Sequence, residues 1–407
     1  MSISLESWRA LADSGPDPAL LAVPTRPTVA DLAALRKRWP AGVVAAAVEA
    51  TRARDKACRK LIPDVAERIL ADAAGVEVAS SAEAAAHKAR LLAPHATRGG
   101  VLDLCCGIGG DAIALAAEGA RVLAVDADPV RAWMAGRNAG CETAVGDVTT
   151  NKWLGRVEGG VVHLDPSRRD VLGRRHRYTD YQPGPEAIAA IVRRATAACV
   201  KLGPGVDFDE LPGSPPHSQQ GGPAATIEML SERGRLTQAL LWTGEAARSD
   251  QGRRIATMLP AGESFVAEPA PLADPFDEPP DEPIEAFLFE PDPSLERMDL
   301  LGPFARTVGL RAIHPAVGLL TGPEVVASPW LTPFRVLEML PWRPRRVRAA
   351  LRSLGGGVVS VKTRGVRLDT DDLQRTLRGD GDWALEVFVL RLGDARVAAI
   401  AERGGPG

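Results

Sequence analysis

Residues 101–128 constrain the fold of this chain more than any other segment. An apolar run that ends in Asp103 leads through Gly107 and Gly109 into an alanine-rich stretch, and a second apolar run ends in Asp126. This order predicts a strand, a glycine turn, a helix and a second strand, with a carboxylate at the tip of each strand. Glycine lets the backbone turn tightly beside a ligand. An acid about twenty residues after the turn can accept hydrogen bonds from ribose hydroxyls, so the segment predicts a nucleoside-cofactor site.

Three features favour S-adenosylmethionine over a nicotinamide dinucleotide as this cofactor. Asp103 lies at the end of the first strand, where a carboxylate would attract an ammonium group and repel a pyrophosphate. Gly146-Asp147 follows a third short strand and is placed to bind an adenine amino group. A fourth strand, residues 161–165, ends in Asp165-Pro166, where methyl acceptors are commonly held. Because the same turn satisfies a loose G-x-G-x-x-A pattern, a dinucleotide remains the alternative.

The cofactor segment resembles that of a known enzyme family. Residues 97–245 resemble class I S-adenosylmethionine-dependent methyltransferases, and the segment DLCCGIGGDAIALA with Asp126-Ala127-Asp128-Pro129 also resembles trimethylguanosine synthase. The whole chain, including the segment VKTRGVR that begins at Val361, resembles bacterial methyltransferases with a C-terminal THUMP-like domain. The resemblance implies an α/β fold with a Rossmann-like class I methyltransferase sheet, an N-terminal helical segment and a small C-terminal α+β domain. It also implies S-adenosylmethionine as the cofactor.

The resemblance assigns site residues position by position. Asp103, Gly107 and Gly109 would line the methionine end of the cofactor, Asp126 would hold the ribose and Asp147 the adenine. The implied cofactor-binding residues are Asp103, Cys105, Gly107, Gly109, Asp126, Ala127, Gly146 and Asp147. The implied catalytic residues, which would hold the methyl acceptor, are Asp165, Pro166, Ser167 and Arg168.

The acceptor turn departs from the usual pattern for amine methylation. Methyltransferases that act on exocyclic amines often carry Asp/Asn/Ser-Pro-Pro-aromatic at this strand end, whereas here Ser167 replaces the second proline and Arg168 the aromatic residue. An arginine plane can instead stack on a base or bind a phosphate. Carbon methylation of cytosine would require a nearby cysteine, and none is close in sequence. Tyr178 and Tyr181 either stack on a flipped base or pack within their own loop.

The THUMP-like resemblance implies RNA as the partner of the chain. A net charge of −3 argues against a generally polyanion-binding surface, so local basic groups matter more. The predicted RNA-binding residues are Arg169, Arg174, Arg175, Lys362 and Arg364. A second arginine cluster, at residues 343–352, is equally compatible with a phosphate track and with a solvated helix face.

Length and composition predict how the chain is divided. A chain of 407 residues is long for one compact domain, so two or three are expected. The predicted parts are an N-terminal helical segment (1–95), a methyltransferase domain (96–262), a linker rich in proline and acidic residues (263–283) and a C-terminal α+β region (284–407). The motifs Thr28-x-x-Asp31 and Ser80-x-x-Glu83 predict helix starts. Asp111 either contacts the cofactor or caps the helix, and the cap is the favoured interpretation.

Several functional classes are disfavoured by what the sequence lacks. No apolar run approaches the ~20 residues that cross a bilayer, so no membrane attachment is expected. The five cysteines show no C-x-x-C spacing, which favours a reduced cytoplasmic protein without a metal site. Hydrolase and P-loop motifs are also missing. The oligomeric state is left open.

Three functions are compatible with these observations. The first is methylation of a base in structured RNA, either tRNA or rRNA. The second is methylation of a small molecule or a protein. The third is a catalytically inactive protein that binds the cofactor or RNA. An affinity for RNA that falls steeply with salt would favour the first function.

Overall fold

Two compact units make up the chain. The computed structural model describes residues 3–13, 23–96, 99–168, 177–211, 225–248, 253–270, 272 and 284–404. The first unit comprises Met1–Leu230 and Thr237–Gln251, and the second comprises Ser231–Leu236 and Gly252–Gly407. No helix within the described ranges is both long enough and apolar enough to cross a lipid bilayer.

The N-terminal part of the first unit is helical. Its helices are α1 (Leu5–Asp13), α2 (Val29–Arg36), α3 (Ala41–Ala57), α4 (Pro63–Arg68), α5 (Ala73–Val78) and α6 (Ala82–Leu92). Small alanine side chains of α3 let it pack closely around the buried Trp8 of α1. The same apolar cluster includes Ile108 and Met134 of the following sheet region. The N-terminal helices therefore share a core with the segment that was predicted to bind the cofactor.

Two helix starts test the capping motifs. Thr28 caps α2 as predicted, because Asp31 N donates to Thr28 Oγ1 at 3.2 Å and Thr28 N donates to Asp31 Oδ2 at 2.8 Å. The cap of α6 is Ser81, whose hydroxyl accepts from Ala84 N at 3.1 Å. The predicted cap at Ser80 is therefore wrong by one residue. The Ser80 hydroxyl is turned instead into a buried polar cluster that is described below.

A Rossmann-like sheet follows the helices. Its strands are β1 (Val101–Leu104), β2 (Val122–Asp126), β3 (Glu142–Val145), β4 (Val161–Leu164), β7 (Ala197–Leu202), β8 (Ala225–Glu232) and β9 (Arg235–Gly244). The intervening helices are α7 (Gly110–Ala117), α8 (Pro129–Ala139), α9 (Asn151–Val157) and α10 (Pro185–Arg194), and a short ribbon joins β5 (Ser167–Arg168) to β6 (Tyr181–Gln182).

Strand order locates the crevice of this sheet. The first unit's strands run in the order β8-β9-β7-β4-β1-β2-β3. The strands from β7 to β3 are parallel, and β9 is antiparallel to β7. The chain order reverses between β1 and β4, and ligands of such folds bind outside the carboxyl ends of the strands at that point. The predicted fold class is confirmed, and the crevice lies where β1 and β4 end.

The second unit has most of its strands in a separate sheet. Its strands are β10 (Arg254–Leu259), β11 (Glu263–Ala267), β12 (Phe287–Pro291), β13 (Arg311–Ala312), β14 (Leu320–Gly322), β15 (Leu331–Pro341), β16 (Gly356–Arg364), β17 (Trp383–Leu392) and β18 (Ala395–Arg403). Its helices are α11 (Pro293–Arg297), α12 (Leu301–Val308), α13 (Pro344–Ser353) and α14 (Thr370–Leu377). The strands from β12 to β18 form one sheet in the order β13-β14-β12-β15-β18-β17-β16.

Both faces of this second sheet are covered. Helices α13 and α14 pack through Val347, Leu351 and Leu377 onto one face. A second apolar cluster, which includes Ile313 and Phe388, covers the opposite face. Residues 263–267, at the start of the predicted linker, form the strand β11, which pairs with β10.

Candidate active site

The carboxyl ends of β1, β2 and β4 converge in the first unit. Asp165 N, just after β4, donates to Leu104 O of β1 at 3.1 Å. Gly146 N, just after β3, donates to Asp126 O of β2 at 2.9 Å. Main-chain hydrogen bonds therefore bring the predicted donor and acceptor segments together at one edge of the sheet.

The turn between β1 and α7 has a left-handed backbone at three positions. The φ angles of Cys105, Gly107 and Gly109 are 58°, 55° and 85°. A Cβ on Gly109 would lie 2.8 Å from the Cα of Ala135, so only glycine lets the turn approach α8 this closely. A Cβ on Gly107 would meet no atom within 4 Å. The turn is closed on the side of α8 and open at Gly107, where a ligand fits.

Asn138 ties this turn to the N-terminal helical segment. Its side-chain amide donates both to Ile108 O in the turn and to Leu70 O, each at 2.9 Å. Its carbonyl accepts from Leu70 N at 2.9 Å. Arg131 of α8 also pairs with Asp72 at 2.9 Å. These bonds therefore connect the N-terminal helical segment to the glycine turn and to α8.

The charges of four carboxylates act on the Cys105 thiol. Burial makes the largest contribution to raising the pKa of this thiol above its usual value. The negative charges of the four carboxylates add to the shift: Asp126, Asp165, Asp103 and Asp147. These four acids come from the ends of four different strands. Their shared negative field would repel a diphosphate and attract a ligand that carries ammonium and sulfonium charges. The electrostatics of the turn therefore fit S-adenosylmethionine and oppose a dinucleotide.

Asp126 is oriented by the backbone of the turn. Gly107 N donates to Asp126 Oδ2 and Asp128 N donates to Asp126 Oδ1, both at 2.9 Å. Burial raises the pKa of Asp126, although these two amides oppose the shift. Asp128 itself caps α8 by accepting from Val130 N at 2.7 Å. These two backbone amides fix the Asp126 carboxylate, and its oxygens keep lone pairs that can accept hydrogen bonds from ligand hydroxyls.

Asp103 is fully buried and lies against His163 of β4. His163 Nδ1 is 2.7 Å from Asp103 Oδ1. Asp103 Oδ2 is buried without a hydrogen-bond partner among the described residues. Burial raises the pKa of Asp103, although His163 opposes the shift.

Sequence reasoning missed a buried ion pair behind Asp103. Lys88 Nζ of α6 lies 2.7 Å from Asp111 Oδ1 of α7, and both side chains are less than a tenth exposed. Ser80 Oγ donates to Asp111 Oδ2 at 3.0 Å and accepts from Lys88 Nζ at 2.8 Å. Burial would raise the pKa of Asp111, but Lys88 and His163 together hold it well below its usual value. Asp111 does not cap α7, which corrects the interpretation from sequence.

The predicted adenine-side residues lie after β3. Asp147 is exposed and accepts from Thr149 N at 2.9 Å and from Thr149 Oγ1 at 2.7 Å. These bonds lower the pKa of Asp147, so the carboxylate is held in its ionised form. A Cβ on Gly146 would lie 2.1 Å from Nε1 of the buried Trp153, which requires glycine there. Ala127 is exposed directly after Asp126.

The predicted acceptor turn begins with an ion pair. Lys201 Nζ of β7 donates to Asp165 Oδ2 at 2.6 Å and to Val78 O at 3.0 Å. Asp165 Oδ1 makes no hydrogen bond to any described residue. Pro166 is buried, Ser167 is exposed, and the backbone of Arg168 pairs with Tyr181 in the ribbon. In this turn, one carboxylate oxygen of Asp165 is bound to Lys201, and the other oxygen has no hydrogen-bond partner among the described residues.

Comparison with known proteins identifies the family. Residues 98–154 match the family model for RNA cap guanine-N2 methyltransferases, and residues 331–403 match the model for THUMP domain-like proteins. Two Mycobacterium tuberculosis proteins, from strains CDC 1551 and H37Rv, are described as uncharacterized S-adenosylmethionine-dependent methyltransferases. Each is 33% identical to this chain over 355 residues, which cover 85% of this chain and 92% of the relative. The chain belongs to the S-adenosylmethionine-dependent methyltransferases.

This methyltransferase also has a structural relative. A proposed methyltransferase from Porphyromonas gingivalis W83 is similar in fold, with a TM-score of 0.72, 17% identity and coverage of 98% of both chains. The predictions of fold, enzyme class and methyl donor are confirmed by family membership.

The tyrosines after the acceptor turn are structural. Tyr178 and Tyr181 are buried, and their ring centroids are 6.2 Å apart. Gly203 N donates to the Tyr181 hydroxyl at 2.7 Å. Both rings therefore pack within their loop, which is the second of the two interpretations that the sequence left open.

The predicted RNA-binding residues are divided between the two units. Arg169, Arg174 and Arg175 lie outside the described residues. Lys362 and Arg364 lie on β16 of the second unit, where both bind Glu290 of β12. Lys362 also lies over the rings of Phe334 and Phe388. Glu290 offers one negative charge to these two cations, so their combined charge is only partly compensated.

We expect Asp126→Ala to weaken S-adenosylmethionine binding roughly 10- to 100-fold, because hydrogen bonds to a charged group are worth about 1.5–3 kcal/mol. Isothermal titration calorimetry measures the change. The matched control is Asp128→Ala, which removes the cap of α8 and is expected to cost about 1 kcal/mol of stability without changing the affinity. Equal losses of affinity in both variants would contradict the role of Asp126.

The left-handed backbone at Cys105 predicts a stabilising substitution. A non-glycine residue at such a φ stores about 1–3 kcal/mol of strain, so Cys105→Gly is expected to raise the melting temperature. Cys106→Gly is the control, since Cys106 is buried and its φ is not positive, and it should lower the melting temperature. A similar decrease in both variants would show that Cys105 is unstrained.

Proposed function

We propose that this methyltransferase modifies a base in structured RNA, either tRNA or rRNA. The THUMP-like match in the second unit supports RNA as the substrate class. The guanine-N2 methyltransferase match covers β1 to β3, and it ends before Asp165. The first match supports the substrate and the second supports the donor half of the site.

The donor side of the proposal follows the strand ends. S-adenosylmethionine supplies a methyl group on a positively charged sulfur, so the protein mainly has to align donor and acceptor. Asp103, Cys105, Gly107 and Gly109 would hold the methionine end. Asp126 and Ala127 would hold the ribose, and Gly146 and Asp147 the adenine. The carboxylates around Cys105 support this assignment, because they favour a cationic ligand.

The observation that carries the acceptor side is the pairing of Asp165 with Lys201. Lys201 holds Oδ2 of Asp165, which leaves Oδ1 to accept a hydrogen bond from an amino group of the target base. Pro166 would fix the turn, while Ser167 and Arg168 would contact the acceptor. This arrangement supports an exocyclic amine as the methylated group.

The cysteines support nitrogen over carbon as the acceptor atom. Cysteine-assisted carbon methylation needs an accessible thiolate. Burial raises the pKa of the Cys105, Cys106 and Cys199 thiols, and it raises that of Cys141 to about 11. These thiols are poor nucleophiles at neutral pH.

Methyl transfer to RNA can be measured directly. Radiolabelled S-adenosylmethionine is incubated with the protein and total RNA from cells that lack this gene. We expect label in the RNA, and chromatography of the digested nucleosides will identify the methylated amine. Label that appears only in protein or small molecules, or no label at all, would contradict the proposal.

A cytoplasmic location is part of the same proposal. All five cysteines are free, and two of them, Cys105 and Cys106, lie in the cofactor turn. A reducing compartment that contains RNA suits both features.

A further inference from the structure

Helix α13 presents a row of unpaired arginines. Its exposed arginines, with the residue that precedes the helix, are Arg343, Arg345, Arg346, Arg348 and Arg352. None of them forms an ion pair or a hydrogen bond through its guanidinium group with any described residue. The opposite face of α13 is apolar and packs on the sheet through Val347 and Leu351. The helix is therefore anchored by one face and carries uncompensated positive charge on the other.

Three of these arginines share one side of the helix. Arg345, Arg348 and Arg352 follow the i, i+3, i+7 spacing that aligns side chains along an α-helix. With a rise of 1.5 Å per residue, they extend over about 10 Å. Because the chain as a whole is slightly acidic, such a local stripe indicates an anionic partner.

An exposed indole adjoins the C-terminal end of the same helix. Trp383, the first residue of β17, is 61% exposed. A Cβ on Gly355, two residues beyond α13, would lie 3.2 Å from Trp383 Cδ1. Trp383 makes no ring contact or hydrogen bond with any described side chain. A large aromatic group beside a row of arginines is the arrangement that stacks on unpaired bases while the charges contact phosphates.

The two predicted RNA-binding residues of this unit differ from the arginines of α13. Lys362 and Arg364 are both bound to Glu290. A phosphate that contacted them would have to compete with a carboxylate already in place. The arginines of α13 face no such competitor among the described residues.

We propose that the arginine face of α13 and Trp383 form the RNA-binding surface of the second unit. Arg345, Arg348 and Arg352 contact backbone phosphates of a single-stranded segment, and Trp383 stacks on an unpaired base. This inference rests on the proposed function, because it assigns the surface through which the RNA substrate is held.

Binding of a fluorescein-labelled oligouridylate to the full chain, measured by anisotropy at several salt concentrations, tests this surface. Replacing Arg345, Arg348 and Arg352 together with glutamine should reduce the slope of log K against log[salt] by about 2, since each lost single-strand contact contributes ~0.7. Trp383→Ala should weaken binding roughly 5- to 100-fold with an unchanged slope, because stacking is worth about 1–3 kcal/mol per base. All four side chains are exposed, so the melting temperature should not change.

The matched control replaces three exposed arginines elsewhere in the same unit, Arg253, Arg306 and Arg403, with glutamine. Its salt slope should stay near that of the wild type. Equal slopes in the α13 variant and the control would overturn the inference. So would a loss of sedimentation with phosphatidylserine vesicles without a loss of RNA binding, which would make α13 a membrane surface.

The two proposals fail in different ways. If the wild type methylates RNA but the α13 variant binds oligouridylate like the control, only the surface assignment is wrong. If the wild type neither binds nor methylates any RNA, the proposed function fails as well.

Discussion

Replacing Lys88 with methionine is expected to lower the free energy of unfolding by about 3–5 kcal/mol, because removing one partner of a buried ion pair leaves the other charge uncompensated. Asp111 would keep its charge in a site that is closed to solvent, next to His163. A urea titration followed by circular dichroism measures the change. Adding Asp111→Asn to Lys88→Met should restore part of the lost stability, since the stranded charge is then removed.

The chain provides a matched exposed pair as the control. Lys56 lies 2.9 Å from Glu77, and both side chains are about half exposed or more. Lys56→Met should cost less than about 1 kcal/mol, as is usual for surface ion pairs. If the two lysine variants lose equal stability, the pair between Lys88 and Asp111 does not hold α6 against α7.

Asp165→Ala is expected to reduce methyl transfer at least ~100-fold while S-adenosylmethionine binding is retained, because a positioned proton acceptor typically contributes about 10²–10⁴ in rate. Alanine removes both carboxylate oxygens, including the one that pairs with Lys201. A single-turnover assay with labelled donor measures the transfer, and calorimetry measures the binding.

Asp207→Ala is the control for this substitution. Asp207 is exposed in the loop after β7 and accepts only from Asp209 N, at 3.1 Å, among the described contacts. Its transfer rate should match that of the wild type. Loss of donor binding in Asp165→Ala would show that the division between donor and acceptor residues is wrong.

The parts of the fold that depend on local sequence were predictable. The glycine turn follows from residues that tolerate a left-handed backbone, and the strands around it follow from short apolar runs. The C-terminal α+β region was predictable as well, and strands and helices alternate in it from β15 to β17. Each of these features depends on neighbours within a few residues, which a sequence shows directly.

Contacts between distant residues could not be predicted. Asp111 resembles a helix cap in sequence, yet Lys88 lies on another helix and only the packing of α6 on α7 brings the two together. Lys362 was predicted to bind RNA, and nothing near it in sequence indicates its partner Glu290, which comes from a strand more than seventy residues earlier. Charge patterns in a sequence identify basic groups without showing which of them pair with acids inside the fold.

A crystal structure with S-adenosylhomocysteine, the product that remains after methyl transfer, tests the central claim most directly. We expect the ribose hydroxyls within hydrogen-bond distance of Asp126 and the amino-acid end beside residues 103–109. The adenine should lie near Asp147, with Asp165 facing the sulfur across the turn. Product bound away from the ends of β1 and β2, or a diphosphate wrapped by the glycine turn, would contradict the account.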